Sequence, residues 1–413
     1  MKTGARETGI DLERFRLRRF VEELRQSGEL EVRDGAADLA DVAPALESNA
    51  RAVLFERLGK EGAQLVGNVM GSRARLARAF GAAPGELLAE VLRRLRATPQ
   101  VVEVPRESAP AQDIVLTGDK ADLTALPVNL QHGMDGGPYI SASIDFVLDP
   151  SNGWTNVGVR RLMLRGRREA GVDLNSPSDL RALYEAATRQ GQRLPVAFVV
   201  GSHPVDYVAA VMRLPVDELG LVASLRDAPL AVVKCVSCDI RVPADAEWVL
   251  EGYLDERGHV EAEGPYGEFL GYYGAVKQNQ VFHLTAITRR RDALPGRPRP
   301  RGAIGLPLPA ARSVAARRPN RCESRFRSDA ADGRGARNRI HYARAAALRR
   351  RALRLGRGRP CRGTEDFRGA DGGACEPRRA RSGARAGGAA LGRTARQREG
   401  RPLRVEVVAF ITT

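Results

Sequence analysis

The chain has 413 residues and a net charge of +16, from 66 basic and 50 acidic side chains. The excess is confined to the segment from Gly296 to Thr413, which holds 30 arginines, no lysine and nine acidic residues, a net charge of +21. The body before it holds 36 basic and 41 acidic residues, a net charge of −5. Because the body is mildly acidic, it cannot supply a phosphate-neutralising surface, and any nucleic-acid binding would have to reside in the tail.

The beginning of the chain carries acidic residues where a signal peptide needs an apolar stretch. No apolar run approaches the roughly 18 residues needed to cross a bilayer. The body contains two cysteines, Cys235 and Cys238, too few to staple a secreted fold. We therefore expect a cytoplasmic protein without a membrane partner.

Helical and strand-like segments alternate in the first hundred residues. Residues 12–26 have apolar side chains at helical spacing, with Gly28 just beyond, and predict an amphipathic helix. Short apolar runs at 53–55 and 64–69 precede further helical stretches at 72–80 and 84–97. This pattern predicts an N-terminal α/β domain over residues 1–111.

Short strand candidates dominate from Asp113 onward. They lie at 114–116, 140–148, 157–164, 196–200, 231–236 and 281–287. Helices are predicted over 180–188, with Ser176 as the cap, and over 204–212. Because strands and helices do not alternate regularly, we expect an α+β fold in which residues 112–295 form a β-rich domain with inserted helices.

The tail, residues 296–413, consists largely of Arg, Ala, Gly and Pro and shows no apolar period. These four residue types are encoded by GC-rich codons. Codon bias explains the presence of arginine without lysine better than selection for positive charge does. A shifted reading frame and a largely disordered segment are therefore expected. The alternative is a non-catalytic protein whose Arg-rich tail binds nucleic acid or another polyanion.

Two segments carry candidate catalytic chemistry. Glu263 and Glu268 stand five residues apart in a turn rich in Gly and Pro, which can point both carboxylates into one cavity, so that one tends to keep its proton. Arg161 follows Asn156 at strand-like spacing and could bind a substrate carboxylate or hold a glutamate. The simpler alternative for each is a surface charge.

Two further features have structural interpretations. Cys235-Val-Ser-Cys238 has the CxxC form of zinc and redox sites, but on a strand its thiols would point to opposite faces, and we favour a structural role. His203, in Gly-Ser-His-Pro, is expected to be a satisfied histidine at the start of a helix.

The chain resembles the UbiD-type decarboxylases from about Leu12 to Leu294. The resemblance rests on ordered segments, namely LERFRLRRFVEELRQSGEL, GNVMGSRARLARAFG, QDIVLTGDKADLTALP, GPYIS, NVGVRR, PVDEL, VVKCVSCDIRVPADAEWVLEGYL and EGPYGEFLGYY. It implies that residues 112–295 form a flavin-reductase-like split β-barrel. It also implies that the family's C-terminal domain is absent or replaced.

The resemblance implies a carboxy-lyase that uses prenylated FMN to decarboxylate, reversibly and without oxidation, an aromatic, heteroaromatic or α,β-unsaturated carboxylic acid. The family's catalytic triad falls on Arg161, Glu263 and Glu268. Glu268 would protonate the carbon that loses CO2, while Arg161 and Glu263 would orient the substrate carboxylate. A flavin prenyltransferase would supply the cofactor, and relatives are commonly homo-oligomers.

The family also holds the cofactor phosphate through a divalent ion, usually Mn2+, with K+ nearby. The implied metal ligands are Asn156 and Glu218, and the implied cofactor-binding residues are Ser141, Asn156, Arg161, Met212, Pro215 and Glu218. The family's histidine ligand should fall near residues 174–177, where this chain has Asn175 and Ser176. Asn175 or a water molecule would then replace the histidine, with Ser176 acting only as a helix cap.

Overall fold

The computed structural model describes residues 9–47, 49–60, 62–268, 272–293 and 408–409. The predictions for residues 296–413 therefore lie outside the described residues, apart from a two-residue strand at 408–409. Across these ranges, no helix combines the length and the apolar character needed to cross a membrane.

The described helices are short, and the strands are more numerous. The helices are α1 (Leu17–Gln26), α2 (Val42–Glu47), α3 (Arg73–Ala79), α4 (Leu87–Arg94), α5 (Asp179–Arg189), α6 (Pro204–Ala210) and α7 (Glu218–Arg226). The strands are β1 (Leu30–Ala37), β2 (Ala52–Leu58), β3 (Ala63–Gly67), β4 (Val101–Glu103), β5 (Ile114–Thr117), β6 (Tyr139–Leu148), β7 (Thr155–Leu164), β8 (Glu169–Val172), β9 (Leu194–Val200), β10 (Leu230–Lys234), β11 (Arg241–Pro243), β12 (Trp248–Leu254), β13 (Glu261–Glu263), β14 (Gly267–Glu268), β15 (Tyr272–Tyr273), β16 (Lys277–Arg289) and β17 (Val408–Ala409).

The N-terminal part is built on a four-stranded sheet. Its order is β1-β2-β3-β17, parallel between β1 and β2 and antiparallel elsewhere. The amphipathic helix α1 packs beside it through buried Leu17, Phe20 and Leu24. The helix begins later than predicted, because Asp11 closes a preceding turn by accepting a hydrogen bond from the Glu13 N–H (2.9 Å).

Six antiparallel strands form a closed barrel. They are hydrogen-bonded in the order β12-β9-β6-β7-β8-β16, and β16 also pairs with β12, so the sheet closes on itself. The buried rings of Phe198 and Phe282 meet edge to face in the apolar core, with centroids 4.9 Å apart. Strands β5 and β13 extend the barrel by pairing with β16. The mixed α+β class predicted from the sequence is confirmed.

A three-stranded sheet, β11-β10-β4, adjoins helices α6 and α7. Each strand candidate from residue 114 onward overlaps a strand, although the candidate at 231–236 extends two residues beyond β10. Strands β8 and β11 to β15 and helix α7 were not predicted. Every residue of α7 is buried, so its sequence lacks the polar face that gives a surface helix its 3.6-residue period.

Two local predictions were wrong. Ser178 rather than Ser176 caps α5, because its Oγ accepts a hydrogen bond from the Arg181 N–H (3.3 Å). Cys235 and Cys238 do not face opposite sides of a strand. They lie in the turn after β10, closed by the hydrogen bond from the Cys235 N–H to the Ile240 carbonyl (2.8 Å), and this turn brings their sulfurs together.

Candidate functional site

Arg161 is the centre of the candidate catalytic cluster. It lies on β7, and its guanidinium contacts Glu263 (Nε to Oε1, 3.1 Å), Glu268 (Nη1 to Oε1, 3.0 Å) and Asp173 (Nη2 to Oδ2, 2.8 Å). Burial disfavours the charged guanidinium, but the hydrogen bond and charge of Glu263 and the neighbouring carboxylates outweigh it and raise the pKa of Arg161. The three residues proposed from the sequence therefore meet at one point, with Asp173 as an unforeseen fourth member.

Glu263 is completely buried at the end of β13. Its Oε1 accepts a hydrogen bond from the Tyr139 hydroxyl (3.0 Å), and its Oε2 accepts one from the Asn279 amide (3.3 Å). Burial together with the Glu263 carboxylate raises the pKa of Tyr139, so the hydroxyl stays protonated and keeps donating. A carboxylate with this many donors is fixed in position.

Asp173 follows β8 and contacts Arg161 through Nη2, whereas Glu268 contacts Nη1. Burial opposes its ionisation, but the hydrogen bond from the Asn175 N–H and the Arg161 charge outweigh burial and lower the pKa of Asp173 to about 2. Lys277 Nζ lies 3.1 Å from the same carboxylate. Asp173 is therefore a permanent anion that orients the guanidinium.

Glu268 differs from Glu263 in being about a quarter exposed, at 24% of its side chain. It ends β14, beyond a turn that starts with Gly264 at φ +96° and contains the cis Gly264–Pro265 peptide bond. Glu268 is thus the carboxylate of the pair that both touches Arg161 and opens to solvent.

The loop before β6 fixes this turn. The Gly136 N–H donates to the Pro265 carbonyl (2.8 Å), and Asp135 Oδ1 accepts from the Gly267 N–H (2.8 Å). A Cβ atom at Gly136 would lie 2.1 Å from the Gly264 carbonyl oxygen, so only glycine permits this approach. The loop and the turn are held as one unit beside Arg161.

An aromatic side chain covers the guanidinium. The ring of Tyr266 stacks on the Arg161 guanidinium, with a distance of 4.4 Å from Cζ to the ring centroid. The same ring meets the ring of Tyr139 edge to face, with centroids 4.6 Å apart. The Tyr266 hydroxyl donates to Gln131 Oε1 (3.1 Å). The hydrogen bond holds the Tyr266 ring in place, and the cation–π contact with this ring restricts the Arg161 side chain that the carboxylates contact.

Ser141 lies at a β-bulge opposite Arg161. The register between β6 and β7 shifts between Ile140, paired with Leu162, and Ser143, paired with Arg160. The Ser141 hydroxyl is buried and has no hydrogen-bond partner in the described protein. An orphaned buried hydroxyl beside the cluster fits a residue that contacts a bound ligand.

Asn156 and Glu218 form a second cluster, at the start of β7 and of α7. Glu218 Oε2 accepts hydrogen bonds from the Asn156 side-chain amide (2.9 Å) and the Val157 N–H (2.5 Å). Burial, with the charges of Asp179 and Asp145, outweighs these hydrogen bonds and raises the pKa of Glu218 to about 7. The negative potential at this corner and its oxygen donors suit a hard cation.

A cleft of about 1010 Å3 opens beside this corner and is lined by Asn156, Glu218 and Asp179. Asp179 is the first residue of α5, because the helix is capped at Ser178. Asn175, expected together with water as a possible substitute for the histidine ligand, donates its side-chain amide to Asp173 and Asn279. Asp179 is thus a further carboxylate at the cleft, although both of its oxygens are paired with Arg213, and Asn175 belongs to the Arg161 cluster.

The two remaining cofactor candidates lie on the segment between α6 and α7. Pro215 lines the cleft, whereas Met212 is half-buried and packs against the apolar core. His203 is the N-cap of α6 and accepts a hydrogen bond from the Val205 N–H (3.3 Å), which confirms its structural interpretation.

Sequence reasoning missed several supporting residues, namely Tyr139, Asp173, Asp179, Tyr266, Lys277 and Asn279. Tyr139 and Tyr266 stand inside the quoted GPYIS and EGPYGE segments. Lys277 and Asn279 alternate along β16, a polar pair of period two that precedes an apolar run and could have indicated a polar site face.

The chain matches two family models. The 3-octaprenyl-4-hydroxybenzoate carboxy-lyase N-terminal domain matches residues 21–95, and the Rift-related domain of the same enzyme matches residues 102–295. An anhydromevalonate phosphate decarboxylase from Methanosarcina mazei is 32% identical over 279 residues, which cover 67% of this chain and 63% of that protein.

Solved structures show the same architecture. The UbiD-class enzyme HmfF from Pelotomaculum thermopropionicum, in complex with FMN, has a TM-score of 0.63 at 32% identity, over 67% of this chain and 62% of that one. An evolved dimeric form of HmfF with prFMN has a TM-score of 0.64 at 31% identity, over 67% of this chain and 65% of that one. The vanillic acid decarboxylase of Sedimentibacter hydroxybenzoicus, in open form, has a TM-score of 0.61 at 30% identity, over 67% of this chain and 62% of that one.

The chain therefore spans slightly less than two thirds of the length of these relatives. Within that span, both family models match in order and the barrel carries the Arg161 cluster. The chain belongs to the UbiD family.

Proposed function

We propose that this chain is a carboxy-lyase that uses prenylated FMN to decarboxylate, reversibly and non-oxidatively, an aromatic, heteroaromatic or α,β-unsaturated carboxylic acid. The observation that carries the proposal is the contact of one half-buried guanidinium, Arg161, with both Glu263 and Glu268. The HmfF structures, which hold FMN and prFMN, support the choice of cofactor.

The residues have distinct roles in this proposal. Arg161 binds the substrate carboxylate, and Glu263, fixed by Tyr139 and Asn279, keeps the guanidinium in place. Bound prenylated FMN supplies the electron sink for carbon–carbon cleavage. Glu268, the solvent-facing acid, donates its proton to the carbon that loses CO2 and recovers a proton from water.

The cofactor phosphate would be held through a divalent cation, Mn2+ in our proposal, with K+ nearby. Asn156 and Glu218 would be ligands. Asp179 would supply the third protein oxygen in place of a histidine by exchanging its ion pair with Arg213 for the cation. The support is their shared cleft and the effect of the Asp179 charge on the pKa of Glu218. Ser141, with its orphaned hydroxyl, and Pro215, at the cleft, would contact the cofactor, and we keep Met212 as a proposed contact from the resemblance alone.

We further propose that a flavin prenyltransferase supplies the cofactor in the cytoplasm and that the working form is a homo-oligomer. The dimeric form of evolved HmfF supports an assembly. The family match ends at residue 295, where arginine-rich sequence without lysine begins. We therefore also propose that the following segment is translated from a shifted frame, which resequencing the DNA around codon 295 tests. A family-like sequence in another frame is expected, and a C-terminal segment unlike the family in every frame would overturn it.

Co-expression of the full chain with a flavin prenyltransferase tests the central proposal. We expect visible absorbance from bound cofactor and CO2 release from at least one acid in a panel of aromatic, heteroaromatic and α,β-unsaturated substrates. A chain that binds the cofactor but releases no CO2 from any of these acids would contradict the proposed activity.

A further inference from the structure

A second cluster of metal-binding atoms lies apart from Arg161 and from the Asn156 corner. One ligand atom from each of Cys235, Cys238 and Glu251 lies within 4.8 Å of the others. Cys235 is buried and Glu251 is completely buried, while Cys238 is half-buried. Both cysteines are free thiols.

Glu251 supplies an independent sign of a ligand. Its Oε2 accepts hydrogen bonds from the Ser237 N–H (2.8 Å) and the Ser237 hydroxyl (2.9 Å). Its Oε1 is buried and has no hydrogen-bond partner among the described residues. Burying a carboxylate oxygen without a hydrogen-bond donor costs free energy. Because the Glu251 carboxylate lies beside two sulfurs, a bound cation would satisfy it.

The surroundings have the arrangement that holds metal ligands in place. The Thr285 hydroxyl on β16 donates to the Glu251 carbonyl (2.9 Å) and lies 2.6 Å from the Ser237 hydroxyl. These contacts fix the carboxylate through Oε2 and leave Oε1 without a donor. Ligating carboxylates are commonly held by hydrogen bonds of this kind.

We propose that Cys235, Cys238 and Glu251 bind one zinc-type divalent cation, with water in the fourth position. Two thiolates select a borderline-soft ion such as Zn2+ over Mg2+ or Mn2+, and one carboxylate completes three protein ligands. Both thiols release their protons to solvent on binding, so no redox step is needed.

The site links two parts of the fold. The cysteines lie in the turn between β10 and β11, and Glu251 lies on barrel strand β12. Asp239 and Ile240 of the same turn line the cleft beside Glu218. The cation would therefore tie one wall of the cleft to the barrel, and this role is independent of the proposed decarboxylation.

Cobalt titration tests the site. The parent is the full chain with Cys322, Cys361 and Cys375 changed to Ser, so that any thiolate signal comes from Cys235 and Cys238. We expect the reduced, metal-free parent to bind one equivalent of Co2+ with thiolate-to-cobalt charge-transfer absorption that Zn2+ removes. Cobalt at oxygen ligands alone would not give this absorption. A reduced parent without it overturns the proposal, and this result needs no substitution at a ligand residue.

Single substitutions then test each ligand. Loss of hydrogen bonds around a metal ligand costs about 10- to 100-fold in affinity, so Cys235→Ser and Cys238→Ser should cost more than about 100-fold and Glu251→Gln at least about 10-fold. The matched control is Asp239→Asn, an acid of the same turn whose side chain is 80% exposed and paired with Lys234. Equal Co2+ affinity for Glu251→Gln and the parent would overturn the three-ligand site.

Discussion

At the scale of single residues, the catalytic proposal depends on the different surroundings of two glutamates. Glu263 is completely buried and accepts hydrogen bonds from Tyr139 and Asn279, whereas Glu268 is partly exposed and contacts Arg161. A buried carboxylate with several donors is suited to holding Arg161, and a solvent-facing one can exchange protons with water.

The first prediction concerns Glu268. Replacing it with Gln keeps its shape but removes the transferable proton, and loss of general acid catalysis costs about 10²- to 10⁴-fold in rate. We expect kcat for CO2 release to fall within that range while the visible absorbance of bound cofactor persists. The matched control is Glu261→Gln, a half-buried acid on β13 that pairs with Arg165. Equal rates for Glu268→Gln and the unmodified chain would refute the proton-donor role.

The second prediction concerns Asp179. If it is a metal ligand, Asp179→Asn should weaken Mn2+ binding by about tenfold or more, since even residues that only orient ligands contribute about 10- to 100-fold. Electron paramagnetic resonance of free Mn2+ measures this affinity without requiring turnover. Asp149→Asn is the control, because Asp149 is another carboxylate of the same cleft that the proposal does not make a ligand. Unchanged affinity in Asp179→Asn would exclude Asp179 as a ligand.

The third prediction is a pH dependence of stability. Burial, with the charges of Arg226 and Arg94, lowers the pKa of His203 to about 3. An unfolded histidine ionises near pH 6.5, so the unfolded chain binds the proton first and stability falls as pH drops below 6.5. Between pH 7.5 and 5 this loss should reach about 2 kcal/mol, because the slope approaches about 1.4 kcal/mol per pH unit below 6.5.

Substitution with Asn keeps a helix-capping side chain but removes the titration. Denaturant unfolding at pH 7.5 and at pH 5 should therefore show a smaller acid loss in His203→Asn than in the unmodified chain. Equal pH slopes in the two proteins would show that His203 does not titrate as described.

At the scale of elements, a buried ion network joins α6 and α7 to the rest of the body. Arg226 forms two hydrogen bonds with Asp206 (2.8 and 2.7 Å) and two with Asp245 (2.7 and 3.3 Å), and its guanidinium lies 5.0 Å from the ring centroid of Phe15. All three charged side chains are buried. Removing the cation would leave two carboxylates without their shared partner.

The fourth prediction follows from this network. Arg226→Met keeps an apolar side chain of similar length but should lower the free energy of unfolding by about 3–5 kcal/mol, the cost of breaking a buried pair. The control is Arg93→Met, because Arg93 is mostly exposed and pairs with Glu90 and Asp227. Its loss should cost less than about 1 kcal/mol. Similar decreases in the free energy of unfolding for the two variants, measured by denaturant unfolding, would contradict the proposed contribution of the buried network to stability.

Elements with a visible period were predictable, and those without one were not. The strands at 140–148 and 157–164 fall on β6 and β7, and the helix at 180–188 falls on α5. Helix α7 is buried on all sides and shows no amphipathic period. The metal-like arrangement of Cys235 and Cys238 was missed because a turn, and not strand geometry, sets their directions.

The site was predictable in its motif residues but not in its supporting contacts. Arg161, Glu263 and Glu268 meet as the resemblance implied. Asp173 and Asn279 reach the same point through strand pairing between β8 and β16, which depends on register rather than on local sequence. The place of Asp179 at the start of α5 depends on whether Ser176 or Ser178 caps the helix. Sequence spacing alone did not distinguish these two serines.

At the scale of the whole molecule, the charge boundary and the family boundary coincide. The net −5 body ends where the family match ends, at residue 295, and the +21 segment follows. The chain spans slightly less than two thirds of its relatives. The division of the body at residues 111 and 112 stays a prediction, since the described residues on both sides of it belong to one compact unit.

The fifth prediction concerns the activity of this chain. The most direct measurement is release of labelled CO2 from carboxyl-labelled acids by the full chain, purified after co-expression with a flavin prenyltransferase. We predict release that requires the co-expressed prenyltransferase and disappears in Arg161→Met, because no other guanidinium in the described protein contacts both Glu263 and Glu268. Release at the same rate from Arg161→Met, or none from cofactor-loaded protein with any acid of the panel, would contradict the account.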